Sequence, residues 1–229
     1  MKTIGLIGGM SWESSLEYYR IINETTKGKL GGLHSAKSVM VSVDFAEIEI
    51  LQQKGQWEEA TRRMVAAACQ VESGGADFLI ICTNTMHKMV DEIQAAIHIP
   101  ILHIADATAG RVRQTGLRTV GLLGTRFTME EDFYVGRLKA RGLNVRIPEE
   151  ADRETVHRVI YDELCLGLTQ EQSRTAYQAI IEKLVQDGAE GIILGCTEIG
   201  FLVKEGDSRV PLFDTTQIHA EAAVEYALQ

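Results

Sequence analysis

Two short polar clusters carry the side chains best suited to chemistry. One runs from Cys82 to His87, and the other runs from Gly195 through Cys196 to Glu198. Each cluster follows an apolar run typical of a buried strand and precedes a helical pattern. At such a strand end, backbone N–H groups and the helix dipole favour anions, including a carboxylate or a thiolate. We therefore expect a carboxylate-binding site in which the pKa of the Cys196 thiol is lowered, so that this thiol acts as a base.

Two such clusters facing each other would suit inversion of an α-carbon. One group removes the α-proton from one face of the carbon, and a second group returns a proton to the opposite face. No metal is expected, because the histidines lack i, i+4 spacing and no Cys-x-x-Cys pair occurs. The glycines at 5–9 lack the spacing of a nucleotide-binding turn. The pattern predicts chemistry without a metal or a nucleotide.

The elements that position these clusters alternate between strands and helices. Predicted strands are 3–7, 38–43, 78–81, 101–104, 119–123, 144–147, 191–194 and 212–213. Predicted helices are 14–29, 57–73, 86–97, 106–115, 129–140, 153–166, 170–186 and 217–228, with capping boxes that begin at Ser14, Thr128 and Thr169. The strands are mostly continuous apolar runs, which is typical of parallel strands covered on both faces. The fold class is therefore α/β, with parallel sheets between helices.

A weak internal repeat divides the chain into two similar halves. Residues 2–8 resemble 118–124, residues 75–81 resemble 188–194, and residues 99–102 resemble 210–213, in the same order. Ordered matches at a constant offset favour duplication of one α/β unit. We expect a first lobe of residues 1–104 plus 212–229 and a second lobe of residues 105–211, related by pseudo-twofold symmetry. The active site would lie in the cleft between these lobes.

Three motifs resemble those of the aspartate/glutamate racemase superfamily. They are Gly-Gly-Met-Ser at 8–11, Thr-Asn-Thr-Met-His at 83–87 and Gly-Cys-Thr-Glu at 195–198. The chain is most similar to the broad-specificity amino acid racemase branch of enterobacteria. This resemblance implies a two-domain α/β fold, a homodimer, and racemisation between two thiols without pyridoxal phosphate or another cofactor.

The chain departs from the family pattern where the first thiol is expected. The family motif is Cys-Asn-Thr, whereas Thr83 precedes Asn84 here and Cys82 lies one position earlier. The internal repeat pairs Thr83 with Cys196, and adjacent strand residues point to opposite faces, so Cys82 is expected to point away. The resemblance thus assigns the acid/base roles to Thr83 and Cys196. A hydroxyl is a poorer base than a thiolate, so catalysis should be asymmetric. The resemblance implies that the L-enantiomer presents its α-proton to Cys196.

The resemblance also places the substrate. Its carboxylate would contact Thr83, Asn84, Thr85 and Thr197, and the cleft would be lined by Met10 and Thr125.

Acid-specific relatives bind the distal carboxylate with basic residues that this chain lacks. No Arg occurs at 44–53, where Gln52 is the nearest polar candidate. No Lys occurs at 162–167, where Cys165 takes that place. A neutral amino acid such as homoserine is therefore as plausible a substrate as aspartate or glutamate.

Several residues and functions keep alternative interpretations. Cys82 is a core residue or a catalytic one, and Cys165 is a pocket residue or a core one. His87 and Glu198 either assist catalysis or serve their helices. Two other functions compete with the racemase: a single-cysteine decarboxylase or isomerase of a small dicarboxylic acid, and a catalytically impaired amino-acid-binding protein.

Composition limits the partners and the compartment. The 229 residues carry a net charge of −9 without a basic stripe, so neither nucleic acid nor an anionic membrane is an expected partner. Four cysteines are too few for a disulfide framework in a chain of this length, and the apolar run near the start ends at glycines. We expect a cytoplasmic protein whose partner is a small-molecule amino acid.

Overall fold

Strands and helices alternate along the chain in the computed structural model, which describes residues 1–229. The strands are β1 (Ile4–Gly8), β2 (Ser38–Ser42), β3 (Phe78–Ile81), β4 (Thr119–Gly124), β5 (Asn144–Arg146), β6 (Gly191–Gly195) and β7 (Leu212–Asp214). The helices are α1 (Trp12–Leu30), α2 (Phe45–Gln53), α3 (Trp57–Ser73), α4 (Val90–Ala96), α5 (Ile104–Gln114), α6 (Arg126–Glu130), α7 (Asp132–Ala140), α8 (Glu150–Asp162), α9 (Glu171–Gln186), α10 (Ile199–Leu202) and α11 (Thr215–Leu228). Short 3₁₀ turns occupy Thr85–Met89, Leu164–Leu166 and Glu205–Asp207. No helix is both long enough and apolar enough to cross a bilayer.

The chain forms two units. The first unit contains Met1–Ile104 and His219–Gln229, and the second contains Ala105–Ile218.

The first unit is built on a parallel sheet with strand order β2-β1-β3. A single bridge pairs Leu79 with Ile101, so the strand expected at 101–104 is wrong: Ile104 already begins α5. Helices cover both faces of this sheet. Leu79 and Ile81 contact one cluster with α2, α3 and α4, whereas Phe78 and Ile80 contact another with α1 and α11. The alternation follows from the two-residue period of a strand.

The second unit is built on a parallel sheet with strand order β5-β4-β6-β7. The apolar residues of its central strands β4 and β6 are almost completely buried, as expected for strands covered on both faces. β7 pairs with β6, so residues 212–218 lie in the second unit and not in the first lobe where the sequence placed them. In both units the first strand lies between the second and the third. The predicted fold class, with two parallel-sheet α/β regions, is confirmed.

Several helices begin, end or divide at positions other than the predicted ones. Helix α2 was not expected, and the helix predicted at 86–97 begins instead as a 3₁₀ turn. The helix predicted at 129–140 is divided into α6 and α7, and the one at 153–166 ends in a 3₁₀ turn. The capping boxes at Ser14 and Thr128 are wrong, because Ser11 and Thr125 cap those helices three residues earlier. The box at Thr169 is wrong as well, because α9 follows Gln170 without a side-chain cap.

Candidate active site

Cys82, the first residue after β3, lies in the apolar core, unlike the polar residues that follow it. Cys82 is fully buried in the cluster that includes Phe78 and Ile80, on the α1 and α11 face of the sheet. Its carbonyl accepts a hydrogen bond from Ser14 Oγ at 3.2 Å. Burial raises the pKa of the Cys82 thiol far above its ordinary value. The structure therefore places Cys82 in the core as a thiol that resists ionisation.

The next three residues carry hydroxyl and amide groups. Thr83 is half-buried, whereas Asn84 and Thr85 are buried. The carbonyl of Thr83 accepts a hydrogen bond from Nδ1 of His87 at 2.8 Å, and the carbonyl of Asn84 accepts one from the His87 backbone N–H at 3.1 Å. These contacts fold the segment into a tight turn at the carboxyl end of β3.

The glycine turn after β1 adds Met10 to the first unit. Gly9 has a φ of 94°, and its N–H donates to Ser15 Oγ at 2.7 Å. Met10 is buried in the same apolar cluster as Met86 of the 3₁₀ turn. Ser11 then caps α1 by accepting a hydrogen bond from the Ser14 N–H.

Gln52 lies beside the 3₁₀ turn that contains Met86. It is buried near the end of α2, and its Nε2 lies 3.0 Å from the sulfur of Met86. The first unit therefore brings Met10 and Gln52 to the segment that carries Thr83, Asn84 and Thr85.

In the second unit, a thiol, a hydroxyl and a carboxylate meet after β6. Cys196 is 8% exposed and Glu198 is 2% exposed. The Cys196 Sγ donates to Glu198 Oε2 at 2.9 Å, and Thr197 Oγ1 donates to the same oxygen at 2.7 Å. Both donors share one carboxylate oxygen, so the Glu198 carboxylate is the hydrogen-bond acceptor of the thiol.

The electrostatics of Cys196 correct the expectation of a lowered pKa. Burial and then the negative charge of Glu198 raise the pKa of the Cys196 thiol well above its ordinary value. The helix that follows, α10, contains only four residues, so its dipole offers little compensation. The resting form is a thiol that donates to Glu198.

Two further residues in the second unit interact electrostatically with this thiol. Cys165 is half-buried in the 3₁₀ turn after α8 and adds to the upward shift of the Cys196 pKa. Tyr177 is buried in α9 and donates to the carbonyl of Val156 at 3.0 Å. Burial raises the pKa of Tyr177, and the charges of Cys196, Glu163 and Cys165 add to this shift. Sequence reasoning missed Tyr177, because its spacing in α9 is that of an ordinary core residue.

Thr125 lies at the end of the neighbouring strand. Gly124 pairs with Gly195, and a β-carbon on Gly124 would lie 2.8 Å from the Gly195 carbonyl oxygen. Thr125 Oγ1 accepts the Thr128 N–H at 3.3 Å as the cap of α6. The second unit therefore gathers Thr125 and the Cys196 cluster at the carboxyl edge of its sheet. No group of three or more His, Cys, Asp or Glu side chains could hold a metal ion.

Several known proteins are similar to this chain. A sequence model of the Asp/Glu/hydantoin racemase family matches residues 7–223. The broad-specificity amino-acid racemase RacX of Bacillus subtilis (strain 168) is 26% identical over 171 residues, which cover 73% of this chain and 72% of RacX. The solved structure of a candidate Asp/Glu racemase from Yersinia pestis is 56% identical with a TM-score of 0.92, and the match covers 100% of both chains. An aspartate racemase homologue from Pyrococcus horikoshii OT3 is 34% identical with a TM-score of 0.86, again over 100% of both chains. The resemblance inferred from the three motifs is thus confirmed.

Proposed function

We propose that this chain, which belongs to the Asp/Glu/hydantoin racemase family, is a cofactor-independent amino acid racemase in which Cys196 and Thr83 exchange the α-proton. The observation that carries the proposal is the buried hydrogen bond from Cys196 Sγ to Glu198 Oε2. It joins a potential carbon base to a proton acceptor at the carboxyl end of a parallel strand, where α/β proteins bind their ligands.

Glu198 is the group that would make Cys196 reactive. Transfer of the thiol proton to Glu198 leaves a thiolate beside a neutral carboxylic acid, which removes the charge repulsion that otherwise opposes the thiolate. The thiolate then takes the α-proton of the substrate and becomes a thiol again. The carbanion that remains is planar and can accept a proton on either face.

Thr83 would supply the proton on the other face. Its hydroxyl donates to the carbanion and becomes an alkoxide, which recovers a proton from water. Glu198 gives its proton back to the hydroxide formed in this way, so that the enzyme returns to its starting state. Because a threonine hydroxyl is a weak acid and a weak base, the Thr83 step should be slower than the Cys196 step. The Cys196 side would act on the L-enantiomer.

The substrate carboxylate would bind to the two polar clusters. Thr83, Asn84 and Thr85 offer hydroxyl, amide and backbone donors in one unit, and Thr197 offers a hydroxyl in the other. Met10 and Thr125 would line the site.

The substrate side chain would be neutral at least as readily as acidic. Residues 44–53 and 162–167 contain neither Lys nor Arg, and Gln52 and Cys165 are the polar groups in those segments. A distal carboxylate would thus lack a cation there and would meet the charge of Glu198 near Cys196. Homoserine therefore fits this composition as well as aspartate or glutamate, and the similarity to a broad-specificity racemase agrees with this range.

One observation favours a second candidate function. Cys82 lies in the core, so the first cluster has no thiol for acid/base catalysis and Thr83 would have to take that role. Cys196 is then the one cysteine of the two clusters that could act as a base. A decarboxylase or isomerase of a small dicarboxylic acid requires protonation from one face only, and an amino-acid-binding protein requires none. Both alternatives remain outcomes of the test below.

The test is conversion of single enantiomers followed by chiral chromatography. L- and D-homoserine, aspartate and glutamate are incubated separately with the purified protein, with and without a chelator and a carbonyl reagent. We expect the opposite enantiomer to form at the same rate under both conditions, Cys196→Ala to abolish it, and the matched control Cys69→Ala to retain it. Release of carbon dioxide, or ligand-induced stabilisation without turnover, would replace the racemase with one of the two alternatives.

The proposal includes a cytoplasmic location and a homodimer. Sedimentation equilibrium should give twice the 25.3 kDa mass of the chain.

A further inference from the structure

Three buried histidines in the first unit have no role in the proposed chemistry. His87, His103 and His219 are 1%, 4% and 0% exposed. The ring centroids of His87 and His103 lie 4.4 Å apart, and those of His87 and His219 lie 5.9 Å apart. Buried imidazoles require specific hydrogen-bond partners, so these partners indicate what the cluster does.

The partners of His87 define its tautomer. The Thr83 carbonyl can only accept, so His87 Nδ1, at 2.8 Å from it, carries the hydrogen. The Ile104 N–H can only donate, so Nε2, at 3.3 Å, accepts. The ring therefore bridges the backbone of Thr83 to the backbone of Ile104, which is the last residue of this part of the first unit.

His219 stabilises the far end of that bridge. Its Nε2 donates to the Leu102 carbonyl at 2.8 Å, and its Nδ1 accepts the Tyr18 hydroxyl at 2.8 Å. Segment 102–104 is thus held by His219 at Leu102 and by His87 at Ile104. The Thr83 carbonyl is therefore linked through His87 to a segment that hydrogen bonds hold at both ends, at Leu102 and at Ile104.

We propose that His87 is a positioning residue that sets the backbone at Thr83, and thereby the aim of the Thr83 hydroxyl, through the Nδ1–H hydrogen bond. This inference rests on the proposed function, because it matters to catalysis only if Thr83 transfers a proton. A hydroxyl that transfers protons poorly is sensitive to its placement, and a displacement of about 1 Å can cost about a hundredfold in rate. The loss should be confined to the Thr83 face of the substrate.

Two substitutions of His87 test the hydrogen bonds of its two ring nitrogens separately. In His87→Asn the side-chain amide nitrogen takes the position of Nδ1 and keeps the donor to Thr83. In His87→Gln the amide oxygen can reach the position of Nε2 and accept from Ile104, while the donor near Thr83 is lost. Each variant is compared with the wild type in deuterated buffer by the rate of α-proton exchange of each pure enantiomer.

We expect His87→Gln to slow exchange on the Thr83 face by about tenfold to a hundredfold and to change exchange on the Cys196 face by less than about threefold. His87→Asn should restore most of the lost rate. In a Thr83→Ala background, His87→Gln should cause no further face-selective loss. Equal loss on both faces, or no advantage of Asn over Gln, would overturn the positioning role, because a merely structural residue behaves in that way.

The same experiment distinguishes this inference from the proposed function. Absence of exchange on both faces of the wild type would overturn both. Exchange on the Cys196 face of every variant, without the face-selective pattern, would leave the racemase standing and overturn only the role of His87. A long-range ¹⁵N–¹H spectrum of the imidazoles tests the geometry without activity: the signal lost in both His87 variants should show a protonated Nδ1, and a protonated Nε2 would contradict the bridge.

Discussion

Cys196 is a weak acid in its folded surroundings, so the group that accepts its proton controls its reactivity. Burial and the Glu198 carboxylate both favour the thiol, yet in the proposed mechanism that carboxylate, 2.9 Å from the sulfur, takes the proton. In this proposal the same residue opposes the thiolate by charge and would produce it by proton transfer. These two effects predict opposite changes when Glu198 is replaced.

Glu198→Gln should make Cys196 more acidic and less useful. Without the neighbouring negative charge, the pKa of the thiol falls, and the pH midpoint of its alkylation by iodoacetamide moves down. Without the proton acceptor, α-proton exchange should fall by about a hundredfold. Glu205→Gln, at an exposed glutamate of the same unit, serves as the control. An alkylation midpoint that stays in place would show that Glu198 does not act on the thiol.

Thr83→Cys should accelerate exchange on the slow face. A thiol is a far better proton carrier than a hydroxyl, and the repeat pairs position 83 with Cys196. Racemisation of both enantiomers, followed by polarimetry, should rise by about tenfold or more. If neither direction gains, position 83 does not face the α-carbon.

At the residue scale, the sequence identified Cys196 and Glu198 as neighbours after a strand, but it predicted the wrong direction for the pKa shift of Cys196. Cys196 and Glu198 could be found because they follow a buried strand directly. The direction in which the pKa of Cys196 shifts depends on the orientation of the Glu198 side chain and on the length of α10. Neither is encoded in residue spacing.

The glycine turn between β1 and α1 positions Met10 in the apolar cluster and Ser11 as the cap of α1. Gly9 adopts a positive φ of 94°, and a β-carbon there would overlap the carbonyl oxygen of Val43. The turn thus requires glycine for two independent reasons, its backbone conformation and its close contact with the residue after β2.

Gly9→Ala should destabilise the protein by about 3 kcal/mol, from left-handed backbone strain and steric overlap. Urea unfolding followed by circular dichroism measures the change. The matched control is Gly28→Ala, on the exposed part of α1, where a β-carbon meets nothing within 4 Å. This control should gain about 0.5–1 kcal/mol from helix propensity. Equal stabilities of the two variants would contradict the tight turn.

Element predictions succeeded where hydrophobic periodicity is strong and failed where short polar segments decide. The helix at 57–73 was predicted with the observed bounds, Trp57–Ser73, because its apolar positions recur over several turns. Helix α2 was missed because it spans only nine residues. The caps Ser11 and Thr125 were misplaced because glycine turns let each helix begin one turn earlier.

At the scale of the whole molecule, each unit has its own parallel sheet, and the first strand of each unit is buried within it. The order β2-β1-β3 in one unit matches β5-β4-β6 in the other, in agreement with the repeats read from the sequence. The assignment of residues 212–218 could not be read from the sequence, because it depends on which sheet edge accepts β7. Stability of the molecule also depends on buried groups such as His219.

Stability should fall with pH below about 6.5 in a way that depends on His219. Burial lowers the pKa of His219 from 6.5 to about 4, although its hydrogen bond to Leu102 partly opposes this. Between these values the unfolded chain binds a proton that the folded chain does not, so stability rises with pH across this window. The lowered pKa corresponds to about 3 kcal/mol, which is lost as the pH falls from 6.5 to 4.

Urea unfolding at a series of pH values measures this dependence. His219→Gln should flatten the slope between pH 4 and 6.5, whereas the control His98→Gln should keep it, because the His98 side chain is 98% exposed. An unchanged slope in His219→Gln would show that this imidazole does not resist protonation in the folded protein.

Proton NMR in deuterated buffer tests the racemase proposal most directly. The purified protein, without added cofactor, is incubated with a panel of pure L- and D-amino acids, and the α-proton signal is followed over time. We predict that this signal disappears faster for the enantiomer on the Cys196 side, and that Cys196→Ala abolishes the loss. Retention of the α-proton for every member of the panel, despite measurable binding, would contradict α-proton chemistry at this thiol.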